Sequence, residues 1–316
     1  MMKYPLIRAC LWVLGILATF GNLIVLIWRA LVPDNNRVQS LLLSNLAMAD
    51  FLMGVYLLTL AALDSKWKGE YFMHDVSWRN SPSCRIVGAI SMLSSEVSVA
   101  MLTITTADRL ICVVFALKFE RMTLKSAYMV CLCVWVVGVV LSIIPILDIE
   151  YFLGNSNGMS FFSQSAVCLP LQLSSEKPSG WEYFMAIFII FNFCSFFFIL
   201  VAYMAIYWTI MKLVGGSASA HMQQESARAN RLFTIVLTDF LCWMPVIIMG
   251  IMSLTNASYF SNLTGMVYVW VAVFVLPLNS SVNPILYTLA TSKVKEKLGS
   301  VFSKFSIRNK QGNVSK

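Results

Sequence analysis

The sequence predicts an all-α membrane protein, a bundle of seven transmembrane helices. Of its 316 residues, 59% are hydrophobic and only 12% are charged, whereas soluble domains average about 25% charged residues. A helix needs about 20 apolar residues to cross a bilayer. Seven runs approach or exceed this length, at residues 6–29, 38–62, 85–115, 125–147, 182–213, 227–254 and 265–290. None of them alternates apolar and polar residues as the strands of a membrane barrel do.

The basic residues beside these spans predict the orientation. The side reached after an odd number of spans carries 16 basic and 5 acidic residues, whereas the other side carries 7 of each. The excess of Lys and Arg marks the cytoplasmic side, so we expect a multi-pass plasma-membrane protein with its N-terminus outside and its C-terminus inside. The net charge of +8 therefore reflects topology, and no nucleic-acid partner is expected. The basic tail favours anionic membrane lipid.

Two domains are expected. Residues 1–291 form the seven-span domain, and residues 292–316 form a short cytoplasmic amphipathic helix and a basic tail. The first apolar run is longer than the core of a secretory signal, so we expect a first span there and no cleaved leader. Its abrupt start suggests a fragment or a truncated form.

Sequons and cysteines offer two tests of this orientation. Asn256 and Asn262 begin N-glycosylation sequons between the sixth and seventh spans. Six of the eight cysteines fall inside spans, and the other two, Cys84 and Cys168, fall at outer positions. An oxidising exterior would allow one disulfide between them.

The seventh span contains polar residues that are costly in hydrocarbon and usually functional. Asn279, Asn283 and Tyr287 are spaced one helical turn apart and share a face. This face should therefore point into the bundle.

Asp50 in the second span needs polar partners for the same reason. The natural candidates are Asn22, Ser98, Asn279 and Asn283. Such a set could hold a sodium ion or a proton; the alternative is a neutral, water-linked packing network. No other cofactor is expected.

The sixth span carries Asp239 one turn before Trp243, and Pro245 follows. Proline kinks a helix and frees a carbonyl, so this segment could pivot around the indole. Glu96 in the third span has no evident cationic partner, and a buried hydrogen bond is expected there.

Asp108 and Arg109 stand at the cytoplasmic end of the third span. If Arg109 pairs with Asp108 and also reaches Glu225, it clamps the third and sixth spans together. The alternative is a solvated interfacial ion pair worth about 0–1 kcal/mol.

Together these positions resemble the rhodopsin-like, or class A, G-protein-coupled receptors over essentially the whole chain. Seven motifs occur in the order of that family. They are Gly21-Asn22, Asn45–Asp50, Asp108-Arg109, Trp135, Tyr203, Cys242–Pro245 and Asn283–Tyr287.

A narrower resemblance is to the leucine-rich-repeat-containing relaxin receptors, in their transmembrane domain only. Asp239 replaces an aromatic residue that many receptors carry, and the fifth span lacks proline. The most similar segments are Leu63–Tyr71, Ser94–Val99, Val167–Leu171 and Leu276–Thr288.

The resemblance implies a receptor that passes the signal of an extracellular, relaxin-like peptide hormone to a heterotrimeric G protein. Trp243 and Asp239 would form the pivot, and Asn283, Tyr287 and Tyr203 would rearrange with it. Arg109 would enter the G-protein cavity, with Asp108 and Glu225 as its resting locks. Cys84 and Cys168 would form the outer disulfide.

Two departures from the family pattern limit this inference. Leu110 stands where an aromatic residue often follows the arginine, and the hormone-capturing repeats are missing from this sequence. The alternative is therefore a truncated or decoy receptor that does not signal by itself. The sequence lacks the internal repeats typical of transporters, and it has no lysine between Lys212 and Lys293 that could bind retinal. A transporter and a light receptor are therefore not expected. Neither histidine has a catalytic partner in the sequence, so an enzyme is not expected.

Overall fold

The computed structural model describes residues 4–32, 36–147, 149–152, 160–170, 179–214, 233, 237–238, 240–249, 251–252, 270–271, 274 and 276–289. Its α-helices are α1 (Pro5–Leu31), α2 (Arg37–Lys66), α3 (Tyr71–Arg79), α4 (Pro82–Val113), α5 (Leu124–Ile143), α6 (Trp181–Phe184), α7 (Asn192–Val214), α8 (Phe240–Met249) and α9 (Leu276–Leu289). Short 3₁₀ helices cover Ile144–Ile146, Glu150–Phe152 and Phe161–Gln164, and a π-helix, Met185–Phe191, joins α6 to α7.

Local sequence explains where three of the long helices begin. The side chains of Asn36, Ser81 and Thr123 accept hydrogen bonds from backbone amides in the first turns of α2, α4 and α5, at 3.0, 3.2 and 3.2 Å. Each cap satisfies an amide that has no partner within its helix. The caps fix the helix starts, and apolar packing stabilises the remainder of each helix.

The helix α4 lies at the centre of the bundle. It contacts α2, α5 and α7, while α1 packs along α2 and α9. In its most apolar stretch, 72% of the α4 residues are buried, against 22% in the peripheral α5. Side chains on α4 therefore meet those of several other helices, which is where a shared site can form.

The expected fold class is confirmed. Five helical stretches among the described residues are long and apolar enough to cross a membrane, and they match the first five predicted spans. The helices α8 and α9 lie within the sixth and seventh. The expected C-terminal amphipathic helix and the 292–316 tail lie outside the described residues.

One helix was not predicted. The helix α3 follows the second span and is amphipathic, with Trp78 buried while Phe72 and Met73 are exposed. Only nine residues long, it is too short for apolar periodicity to distinguish it from a loop.

Candidate functional site

Asp50 of α2 lies at the centre of a buried polar cluster. Its carboxylate accepts hydrogen bonds from Ser98 of α4 at 3.2 Å, and from Ser280 and Asn283 of α9 at 3.0 and 2.7 Å. All four side chains are at most 5% exposed. A buried carboxylate is costly unless donors surround it, and here the donors come from two other helices. The cluster thus ties α2, α4 and α9 together.

The predicted partners of Asp50 fall into three groups. Ser98 and Asn283 contact it directly, as proposed above. Asn22 joins indirectly, because its amide donates to the Ser280 carbonyl at 2.9 Å. Asn279 is buried and lines a groove between α8 and α9.

Ser280 was not predicted as a partner of Asp50. It precedes Asn283 by three residues, a spacing that also places two side chains on one helix face, so periodicity could have found it.

The Asp50 carboxylate and the Ser98 and Ser280 hydroxyls lie together in this cluster, and oxygen atoms of these kinds are the preferred ligands of hard cations. The buried Oδ1 atoms of Asn22 and Asn283 have no hydrogen-bond partner in the part of the chain that the structure describes. Unsatisfied buried acceptors call for a donor, a water or an ion.

The C-terminal end of α4, which the flanking basic residues predict to be cytoplasmic and which we call the inner end, holds a buried ion pair. The Nη2 atom of Arg109 lies 2.9 Å from Oδ2 of Asp108, and the two residues are 1% and 4% exposed. Tyr203 of α7 is buried near them, within electrostatic range of Arg109. Its ring also contacts Phe233, with 5.7 Å between centroids. The expected pairing of Asp108 with Arg109 is therefore present. Glu225 lies outside the described residues.

Trp243 of α8 packs between aromatic side chains of the neighbouring span. Its ring lies 6.2 Å from that of Phe188 in the π-helix and 6.3 Å from that of Phe196 in α7. Pro245 lies two residues further along and lines the groove between α8 and α9. Movement of this indole would have to displace these aromatic rings of the π-helix and α7. Asp239 and the Tyr287 side chain are outside the described part.

The outer end of the bundle is closed by residues 160–169, a segment that we name the cap. Phe161, Phe162, Val167, Cys168 and Leu169 are all fully buried. A disulfide joins Cys168 to Cys84 at the top of α4, which confirms the predicted bridge.

Side chains of the bundle hold the cap by its backbone. The Tyr56 hydroxyl donates to the Val167 carbonyl at 2.8 Å, and the Trp78 indole donates to the Ala166 carbonyl at 2.9 Å. A Cβ added to Gly88 would lie 2.6 Å from the Cys168 carbonyl oxygen, so only glycine permits this approach. Sequence reasoning missed Tyr56, Trp78 and Gly88, because nothing local signals a contact more than 70 residues away.

A polar pair lies at the rim of the cap. The Tyr151 hydroxyl donates to the Glu182 carboxylate at 2.8 Å. Partial burial, and then this carboxylate, raises the pKa of the Tyr151 phenol. The expected glycosylation sites, Asn256 and Asn262, lie outside the described residues.

A bundle of apolar helices with a buried polar core and an Asp-Arg pair at one end defines a class of membrane receptor. The family model of the seven-transmembrane receptors of the rhodopsin family matches residues 21–287. The chain belongs to that family, and it is a multi-pass membrane protein.

Among known proteins, similar ones include the G-protein coupled receptor GRL101 of Lymnaea stagnalis, 40% identical over 92% of this chain and 25% of its own length. The human relaxin receptor 2 is 33% identical over 95% of this chain and 39% of its own length. The human relaxin receptor 1 is 32% identical over 92% of this chain and 37% of its own length. The chain thus spans a quarter to two fifths of the relatives it matches, and the resemblance to relaxin receptors is confirmed.

Proposed function

We propose that this chain is the signal-transmitting part of a G-protein-coupled receptor for a relaxin-like peptide hormone. It lies in the plasma membrane with its N-terminus outside, and it activates a heterotrimeric G protein inside. The observation that carries the proposal is the buried Asp108–Arg109 pair at the inner end of the central helix. Burial of a guanidinium has a large desolvation cost unless an opposite charge compensates it.

The physical basis is a charge that can change partners. In the described state, Arg109 pairs with Asp108 and Tyr203 lies beside it. Separation of the spans at this end would expose the guanidinium, which could then bind acceptor groups of an inserted G-protein segment. A ligand drives this change only by the difference in its affinity for the two states.

The hormone class rests on the relatives. Two of them are named relaxin receptors, and the matched region is the membrane bundle. In this chain the cap fills the outer end of the described bundle with fully buried side chains. We infer that the signal arrives as a force on the cap and the outer loops. Capture of the hormone is a task for other parts of such a receptor.

A sodium ion near Asp50 belongs to the same proposal. Asp50, Ser98, Ser280 and Asn283 would hold it, and Asn22 would support Ser280. The support is the buried Asp50 carboxylate beside two serine hydroxyls, together with the unsatisfied amide oxygens of Asn22 and Asn283. The ion would favour the resting state, because its site is lost when α2, α4 and α9 separate.

Replacement of Glu225 by alanine tests the lock. Its pairing with Arg109 is a sequence-based expectation, and its loss should favour the open state by about 1 kcal/mol. We expect Glu225→Ala to raise basal nucleotide exchange several-fold. Nucleotide exchange should be measured in membranes over a panel of purified G proteins, at matched surface expression.

Glu120→Ala is the matched control, since Glu120 lies on the same side and is exposed; it should leave exchange unchanged. Arg109→Ala should remove exchange in either background. If the chain and all three variants stay silent with every G protein, the proposal fails and the decoy alternative is favoured.

A further inference from the structure

A groove on the lipid-facing surface of the bundle lies where α4, α5 and the π-helix meet. Its volume is about 350 Å³, within the range of small-molecule sites. The walls include Val137 of α5 and Phe191 of the π-helix, which are 55% and 40% exposed. Because these residues belong to apolar spans, the groove opens towards lipid and a ligand would enter from the bilayer.

The bottom of this apolar groove carries a carboxyl group. Glu96 is 4% exposed and lines the groove. Its Oε1 accepts a hydrogen bond from the Asn192 amide at 3.4 Å, whereas its Oε2 has no hydrogen-bond partner among the described residues. The Asn192 Oδ1 is unsatisfied in the same way. Unpartnered polar atoms are costly in a membrane interior and usually functional.

The π-helix positions residues of the same groove. Met185–Phe191 is π-helical, and Asn192 follows at once. Such segments add a residue to a turn and occur often at functional sites. Here the change of phase lets Asn192 point inward to Glu96 while Ile187 and Phe191 remain on the groove wall.

The depth of Glu96 restricts the chemistry of the occupant. It lies 12 residues beyond Cys84, which is about 18 Å along a helix, in a bilayer whose hydrocarbon core is about 30 Å thick. A charged headgroup would not reach this depth without a large desolvation cost. A hydroxyl on an apolar body can, since it donates one hydrogen bond and accepts others.

We propose that this groove binds one small lipid-soluble molecule that carries a hydroxyl group. The hydroxyl hydrogen-bonds Glu96 Oε2, and the apolar body lies between Val97, Val137 and Phe191. Such a ligand would hold the π-helix against α4 and α5. This site is separate from the Asp50 cluster and the Arg109 pair, so it does not depend on coupling to a G protein.

Photolabelling with an octanol that bears a diazirine tests the proposal. The full chain is labelled in native membranes, and the labelled residues are mapped by mass spectrometry. We expect saturable labelling concentrated on groove residues such as Ile187 and Phe191. Labelling spread evenly over the lipid-exposed residues would overturn the proposal.

Two tryptophan variants separate the groove from the surrounding lipid-facing surface. Val137→Trp fills the groove and should lower labelling of Phe191 at least fivefold. Val136→Trp is the matched control, because Val136 is equally exposed, at 53%, but does not line the groove. Equal labelling of the two variants would contradict the proposal. Both changes are at exposed positions, so folding should persist.

Competition tests the role of the carboxyl group. In the wild type, 1-octanol should reduce Phe191 labelling at a membrane concentration at least tenfold below that of octane. The difference should fall below twofold in Glu96→Leu and persist in Glu96→Gln, whose amide still donates and accepts. Cholesterol distinguishes a sterol from a flexible alcohol: we expect it to compete no better than octane. Equal competition by octanol and octane in the wild type would exclude the hydrogen bond.

Discussion

The cap at the outer end and the polar cluster around Asp50 are both largely buried, yet they are built in different ways. The cap is held by a disulfide and by side chains that donate to its backbone carbonyls. Around Asp50, side chains bond mainly to other side chains. In a bond between two side chains both groups can change rotamer, whereas in a bond to a cap carbonyl only the donor side chain can, and the carbonyl moves only with the cap.

This difference suggests that the two regions have different roles in the receptor. The outer end is suited to move as one body, because its cross-link joins it to α4, the most buried helix. The core is suited to switch between states of similar energy, because α2, α4 and α9 share one carboxylate. A force on the cap would therefore reach Asp50 through α4, which carries both Cys84 and Ser98.

The largest expected effect comes from loss of the disulfide. It closes a loop of 84 residues, and removal of such a bridge typically costs about 2–5 kcal/mol. Cys84→Ser should lower the unfolding temperature of the purified chain more than any other change considered below. Thermal unfolding followed by a thiol-reactive dye is the measurement.

Cys133→Ser is the control for that variant, since Cys133 is a free, exposed cysteine on α5. It should unfold close to the wild-type temperature. If Cys84→Ser and Cys133→Ser unfold together, the cap does not stabilise the outer end. Mild reduction of the wild type should reproduce the effect without a substitution.

The core should respond to sodium, and the cap should not. At a sodium concentration ten times its dissociation constant, binding adds about 1.4 kcal/mol of stability. We expect a higher unfolding temperature in sodium chloride than in potassium chloride at equal ionic strength. Asp50→Asn should abolish this difference, because an amide supplies one oxygen and no charge.

Asp75→Asn provides the matched comparison, because Asp75 pairs with Arg79 on α3, which is not one of the helices that form the core cluster. It should keep the sodium effect in full. A sodium effect that survives in Asp50→Asn would show that the ion acts elsewhere, and the cluster would then be a packing network.

The two regions also differ in how well the sequence predicts them. The spans follow from apolar runs, and Asp50, Ser98 and Asn283 follow from the cost of polar groups in hydrocarbon. The helix α3, the π-helix before Asn192, and the contacts of Tyr56 and Trp78 do not. They arise from packing between distant segments, for which neither composition nor periodicity carries a signal.

The smallest effect should come from single hydrogen bonds to the cap. Tyr56→Phe leaves the ring and removes the bond to the Val167 carbonyl, which should cost about 1 kcal/mol because a buried acceptor loses its partner. Trp78→Phe should cost at least as much, since it also removes packing. Tyr207→Phe, at a residue 64% exposed on α7, should have no effect on thermal unfolding.

Because both cap bonds act on one rigid segment, the double variant Tyr56→Phe/Trp78→Phe should cost less than the sum of the single changes. Simple additivity would instead mean that the two carbonyls move independently, and the cap could not transmit force as one body.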